Sequence, residues 1–372
     1  MRRAWLFGLV ALAACRNAPE ALPPAVEAVV DVGAKSKWMT TGDDPWEVFV
    51  CHVPLDTQSP VYAGLPLRRP LKPDAVAAIL DEKAAAYFAT LSNGDYRPRF
   101  TSGGEVAIGA TDEPQACVDK AIAASDAQAH GVIAIADAEH NAGKPGGFGN
   151  PGTVCASPPC PASTTRRSAY VGASDFSPDW GDNPPMDLIE HEIGHTLGWP
   201  HSGYDASLPE PTQSALDVMS NSAAPREVLP DRRDAPDTLA VNRLSAGWLP
   251  TSSVAVVATT GTTVMLAPSN GQPEKSAKRL AVIALDDHRF ITVELLTNEG
   301  FDSHLPATGV AVHLVDETSE PRTQTPLIGL APYNDLLGRG ETLTTNGWRI
   351  AVGDGWSVKM QPLEELSTVS GS

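Results

Sequence analysis

The apolar positions change period along the chain. Before residue 250, short alternating or continuous apolar runs take turns with stretches of helical spacing; beyond it only the short runs remain. Trp46-Glu47-Val48-Phe49-Val50-Cys51-His52-Val53 has the pattern of a strand, ended by Pro54. Pro73 and Asp74 open a helix whose apolar positions include Val76, Ile79, Leu80, Ala84, Tyr87 and Phe88, and Asn93-Gly94 stops it. A strand near Tyr96 to Phe100 and a shorter helix near Gln115 to Ala124 follow. Gly131 to Asp137 is continuously apolar up to its last residue, the mark of a strand buried on both faces. Residues 142–152 form a glycine-rich loop without phosphate-loop spacing, and Arg167 to Gly172 reads as another strand. A helix then starts at Asn183-Pro184, asparagine as cap and proline in the first turn. A last helix runs from Pro236 to Ala246 and stops at Gly247. Strands are predicted at 254–257, 263–266, 280–285, 290–295, 310–315 and 348–352, separated by Gly, Pro, Asn and Asp. The order predicts an α+β fold: a mixed sheet with helices over residues 45–249, then a small all-β sandwich over 250–364, with a tail at 365–372.

The first residues belong to neither domain. Arg2 and Arg3 precede an apolar stretch, Ala4 to Ala14, that is too short to span a bilayer. It runs into Leu12-Ala13-Ala14-Cys15, which resembles the bacterial lipoprotein signal. The resemblance implies removal of residues 1–14, lipidation of Cys15 and a protein exported and held at a membrane, the outer one or the cell surface. Residues 15–44, rich in Ala, Pro and Val without sustained periodicity, are then a flexible tether. A formal net charge of -18 argues against a nucleic-acid partner, which needs a basic footprint.

Apart from Cys15, the chain has Cys51, Cys117, Cys155 and Cys160, an even number that suits disulfides in an exported protein. Cys155 and Cys160 flank a short Ala-Ser-Pro-Pro segment, and Cys51 and Cys117 then pair by elimination. The other two connectivities, and free buried thiols at Cys51 and Cys117, stay open.

The chemistry is concentrated in residues 191–201, His-Glu-Ile-Gly-His-Thr-Leu-Gly-Trp-Pro-His. On a helix His191 and His195 project from one face, close enough to bind one ion, and imidazole nitrogen suits zinc. Gly198 lets the chain leave the helix in a left-handed turn, which brings His201 back as a third ligand. Three protein ligands leave a position open, the catalytic arrangement for one Zn²⁺. Glu192, beside the first ligand, reaches a water on the ion without being a ligand, and is the general base.

This extended pattern, followed by Asp217-Val218-Met219-Ser220, resembles the metzincin zinc metalloproteases, whose signature adds a Met-turn downstream of the third histidine. The resemblance implies that Met219 is the Met-turn residue, an apolar floor under the histidines. Asn221 stands where some metzincin subfamilies carry a tyrosine ligand, so no such ligand is expected. Phe290-Ile291-Thr292-Val293-Glu294-Leu295, Gly300-Phe301-Asp302, Leu305-Pro306 and Gly309-Val310-Ala311-Val312-His313 are similar to the β domain of gametolysin-type and immune-inhibitor-type metalloproteases. His304 and His313 there lack ligand spacing and are expected to be structural. Asp175, Asp179 and Asp182 are acidic enough for structural calcium, but a solvated acidic loop accounts for them as well.

The resemblance implies a surface zinc endopeptidase with protein or peptide substrates. The alternative is a non-catalytic surface lipoprotein that binds a partner or glycan through its β domain; a metal-scavenging lipoprotein is another. Glu192 counts against both, since neither needs a general base.

Overall fold

The computed structural model describes residues 21–62, 70–141, 143–144, 146–152, 166–203, 214–274, 276–318, 323–327 and 336–363. Up to residue 249 the elements are α1 (Pro24–Thr40), β1 (Gly42–His52), α2 (Pro73–Glu82), α3 (Ala84–Leu91), β2 (Tyr96–Ala107), α4 (Gln115–Ala124), β3 (Gly131–Ala136), β4 (Gly147–Asn150), β5 (Arg167–Val171), α5 (Asp187–Thr196), α6 (Ala224–Val228) and α7 (Ala240–Ser245). The five strands form one sheet in the order β2-β1-β3-β5-β4, parallel except for β4, which runs antiparallel along β5 at the edge.

Alternation along the strands sorts side chains into two cores. Ile133 and Ile135 of β3 face α2, α3 and α5, whereas Val132, Ala134 and Ala136 face α4. A strand covered on both sides cannot alternate apolar with polar, which is why β3 reads as an unbroken apolar run. The α4 side is also tied covalently, by a disulfide from Cys51 of β1 to Cys117 of α4. Cys15, Cys155 and Cys160 lie outside the described residues.

Several local expectations need correction, among them the last helix, expected from Pro236, which begins only at Ala240 after an extended Leu239. Residues 24–40, expected in a tether, are helical; Ala25, Val26 and Val29 are buried against α7 and the sheet beyond it. That apolar stripe is short and the helix draws its stability from a partner distant in sequence, so periodicity alone does not mark it. The helix expected from Asn183-Pro184 begins only at Asp187. Pro185 disfavours a helical conformation at Pro184, and the Met186 N–H is taken by the Arg233 carbonyl at 2.7 Å. The single helix expected after Pro73 is two, α2 and α3, interrupted at Lys83, although Leu80, Ala84, Tyr87 and Phe88 continue one buried stripe.

Beyond residue 253 every extended element is β: β6 (Val254–Val256), β7 (Thr262–Met265), β8 (Leu280–Ala284), β9 (Arg289–Leu296), β10 (Gly309–Asp316), β11 (Thr323–Pro326), β12 (Leu336–Leu337), β13 (Thr342–Thr345), β14 (Trp348–Val352) and β15 (Ser357–Pro362). One sheet runs β11-β10-β9-β8-β6, with β12 also on β10; the other runs β13-β14-β15-β7. Ile291, Val293, Val310 and Val312 face the second sheet, where Ile350, Val358 and Met360 meet them. Phe290, Leu296, Ala311 and Val315 point the other way, into a core shared with Ala25, Val26, Leu239 and Leu244. The larger β sheet is therefore covered on both faces, and the two units share a core across residues 249 and 250. The whole is a mixed fold of helices and several sheets, consistent with the α+β class.

Candidate metal centre

Helix α5 is short, and most of it is buried. Ile189 and Ile193 anchor it in the core below the sheet. With those positions inward, His191 and His195 fall together on the side facing β4 and the cleft. The helix ends where Gly198 takes φ +83°, a conformation that disfavours other side chains. Trp199, 1% exposed, pins the turn between Phe88 and Trp248. The chain then returns with His201.

The three Nε2 atoms converge. His201 Nε2 lies 3.1 Å from His195 Nε2 and 3.2 Å from His191 Nε2. A tetrahedral ion with bonds of about 2.0–2.1 Å spaces its ligand atoms about 3.3–3.4 Å apart, so both spacings to His201 suit one such ion, and all three ligand atoms lie within 4.8 Å of one another. The other ring nitrogens fix the tautomers. His191 Nδ1 donates to the Val218 carbonyl at 2.6 Å and His195 Nδ1 to the Trp199 carbonyl at 2.9 Å, which leaves the Nε2 lone pairs facing inward. Burial, then the neighbouring imidazoles, pushes His191 down to about 3 and His195 to about 4; burial also lowers His201. All three are neutral rings at neutral pH, the form that binds a metal.

Met219 is fully buried. A Cβ at residue 194 would come within 2.4 Å of its Sδ, so Gly194 is what lets the segment 214–220 pass this close to α5. That segment also delivers the Val218 carbonyl to His191.

Glu192 is 4% exposed, and its Oε2 has no hydrogen-bond partner among the described residues. Burial pushes its carboxyl up to about 8, a shift that a cation at the three nitrogens would oppose. Strand β4 covers it. A Cβ on Gly147 would lie 2.7 Å from Glu192 Oε1, and one on Gly149 would lie 2.1 Å from the Glu192 carbonyl oxygen. The segment expected to be only a glycine-rich loop is thus an edge strand that needs glycine at alternate positions to lie on the helix. The Gly147-Phe148-Gly149 alternation was the available signal. The cleft between β4 and α5 has a volume of about 400 Å³ and is lined by Gly146 to Gly149, Leu188, the three histidines, Glu192, Ser220 and Ser222.

The remaining candidate residues lie elsewhere. Asp175 is buried while Asp179 and Asp182 are exposed. Among the described residues, the three histidines are the only group of His, Cys, Asp or Glu that converges as a metal site. Asn221 donates to the Glu227 carboxylate at 3.3 Å. His304 faces the Ala215 and Phe301 carbonyls, and His313 is buried in β10. A larger groove, about 1110 Å³, lies between β6 and β7, where Lys278 donates to the Ser252 and Val254 carbonyls. It contains no histidine, and Glu274 is its one acidic residue. Searches against protein-family models and curated proteins found no match to this chain.

Proposed function

We propose that the chain is a zinc endopeptidase with a metzincin-like catalytic unit and a β-sandwich unit behind it. One observation carries this reading: three converging imidazole nitrogens stand beside a buried carboxylate oxygen that has no hydrogen-bond partner among the described residues. His191, His195 and His201 would hold the ion. Zinc bound there supplies Lewis acidity toward a carbonyl and toward water.

The chain's own groups supply the rest. Among the described residues no strand pairs with the outer edge of β4, so an extended peptide adds to it as a further strand and is laid across the cleft. Glu192 Oε2 accepts a proton from the water that attacks the scissile carbonyl. It then returns that proton to the leaving amine nitrogen as the C–N bond breaks. Met219 shapes the floor without touching substrate. The Cys51–Cys117 disulfide supports an oxidising compartment, in line with the proposed export and Cys15 lipid anchor.

The test separates metal binding from catalysis. Glu192→Ala is expected to keep about one zinc per chain and to lose a factor of about 10² to 10⁴ in peptide hydrolysis. His201→Ala should lose both, and Met219→Leu should keep both. Hydrolysis by Glu192→Ala at the parent rate would sink the mechanism. Tight zinc in a parent that cleaves no peptide from a broad library would favour a metal-holding role instead.

A further inference from the structure

The three histidines are not held equally. His191 and His195 sit on a helix, and each is oriented by a carbonyl on its Nδ1. His201 sits on an exposed loop, and among the described residues its Nδ1 makes no hydrogen bond. Its placement falls to the two residues that follow. The Ser202 N–H donates to the Met219 carbonyl at 2.9 Å, and the Gly203 N–H to the Gln324 carbonyl at 3.0 Å. Ser202 and Gln324 form an isolated parallel bridge. Gln324 belongs to β11, the edge strand of the larger sheet in the β unit, more than a hundred residues away in sequence.

The Gln324 side chain is 1% exposed, and its direction is dictated by charge. Asp217 is buried and accepts from Ser202 Oγ at 2.5 Å, Thr238 Oγ1 at 3.0 Å and Asn242 Nδ2 at 3.2 Å. Asn242 must donate to that carboxylate, so its Oδ1 faces away and needs a donor of its own. Gln324 Nε2 supplies one at 2.9 Å. The chain of donors thus runs from the β unit to Asp217. Asp217 is joined to the residue after His201 through Ser202, and it directly precedes Val218, whose carbonyl orients His191.

We propose that Gln324 is a positioning residue through which the β unit fixes the third metal-binding histidine. Its buried amide ties β11 to the Asn242–Asp217 pair, and this holds its main-chain carbonyl where Gly203 can donate to it. The metal site is therefore completed by the β unit, which is more than an appended module. The inference rests on the reading of His191, His195 and His201 as metal ligands.

The full-length chain tests it, with zinc and cobalt affinity measured by competition against a chromophoric chelator. Gln324→Met keeps length and packing but removes the donor. It is expected to weaken metal binding about 10- to 100-fold and to reduce the intensity of the cobalt absorption bands as one imidazole is exchanged for water. Asn242→Ala removes the acceptor and should move both readouts in the same direction; it serves as the test if Gln324→Met does not fold. A parent that binds no stoichiometric metal overturns the metal reading itself. A parent that binds metal, beside folded variants with unchanged affinity and spectrum, overturns only the role given to Gln324. Lower thermal stability with parent metal affinity also overturns it, since Gln324 would then be a packing residue.

Discussion

The α4 face of the five-stranded sheet and the part of its other face around α5 treat buried polar groups differently. On the α4 face they are paired. The Tyr62 and Tyr170 hydroxyls bond each other, and His140 Nε2 meets the Tyr170 hydroxyl at 2.9 Å. At the end of β3, Asp137 takes the Val53 N–H and His52 Nδ1, both at 2.9 Å. On the α5 face, Glu192 Oε2, Glu190 Oε1 and Asp175 Oδ2 are buried with no partner among the described residues. An unpaired buried oxygen costs stability. Away from α5 the second face is paired as well, with buried Asp44 accepting from Trp46 Nε1 and the Tyr96 hydroxyl; the unpaired oxygens gather around α5, beside the cleft.

This division predicts that damage to the α4 face acts on stability and damage to the α5 face on activity. The largest stability effect should come from Cys51→Ser with Cys117→Ser. The bridge closes a sequence separation of 66 residues, and its loss should lower unfolding free energy by about 4 kcal/mol. Urea titration measures this. Peptide hydrolysis per folded molecule at 25 °C should stay at the parent level, and a parallel collapse of activity would break the division. The converse variant is Gly149→Ala. Its Cβ would fall 2.1 Å from the Glu192 carbonyl oxygen, so β4 must shift away from α5. Displacement of about 1 Å beside reacting groups can cost about 10²-fold in rate, and that loss is expected in kcat/KM with zinc content retained. Unchanged kcat/KM would show that the close approach of β4 is dispensable.

What was legible in the sequence follows the same line between local and distant causes. The histidine positions, the Gly198 turn and the buried strand β3 are local patterns, and the structure has each where the spacing puts it. The start of α5 was misplaced because Pro184 offers itself as a first-turn proline while Pro185 forbids it, and an Arg233 carbonyl competes for Met186. Helix α1 was missed because its buried face meets α7 and the β unit, partners that no window of sequence contains. The β4 edge was visible as alternating glycine, but its meaning depends on a helix 40 residues downstream pressing against it. Gln324 carried no local signal at all. A lone glutamine between threonines gains its role only from the loop after His201.

The smallest effect concerns Asp175, a buried carboxyl with an unpaired oxygen among the described residues that does not line the cleft. Asp175 is off the cleft, and burial, then the charge of Asp187, pushes its carboxyl up to about 7 from an ordinary 3.8. A carboxyl raised in the folded state adds stability fully below its unfolded value, and that contribution is lost as pH rises through the folded value. The window therefore runs from about pH 4 to about pH 8. Asp175→Asn keeps the shape and cannot ionise. At pH 4 the parent carboxyl is protonated and the two proteins should be equally stable. At pH 8 the variant should be more stable by a few kcal/mol at most, since the shift to about 7 already contains the opposing pull of Arg226. Urea midpoints across that range measure the gap, and peptide hydrolysis should not change. Equal stability at pH 8 would mean that a bound cation or an added donor balances Asp175 in solution, and the acidic loop at Asp175, Asp179 and Asp182 would then become a calcium candidate again.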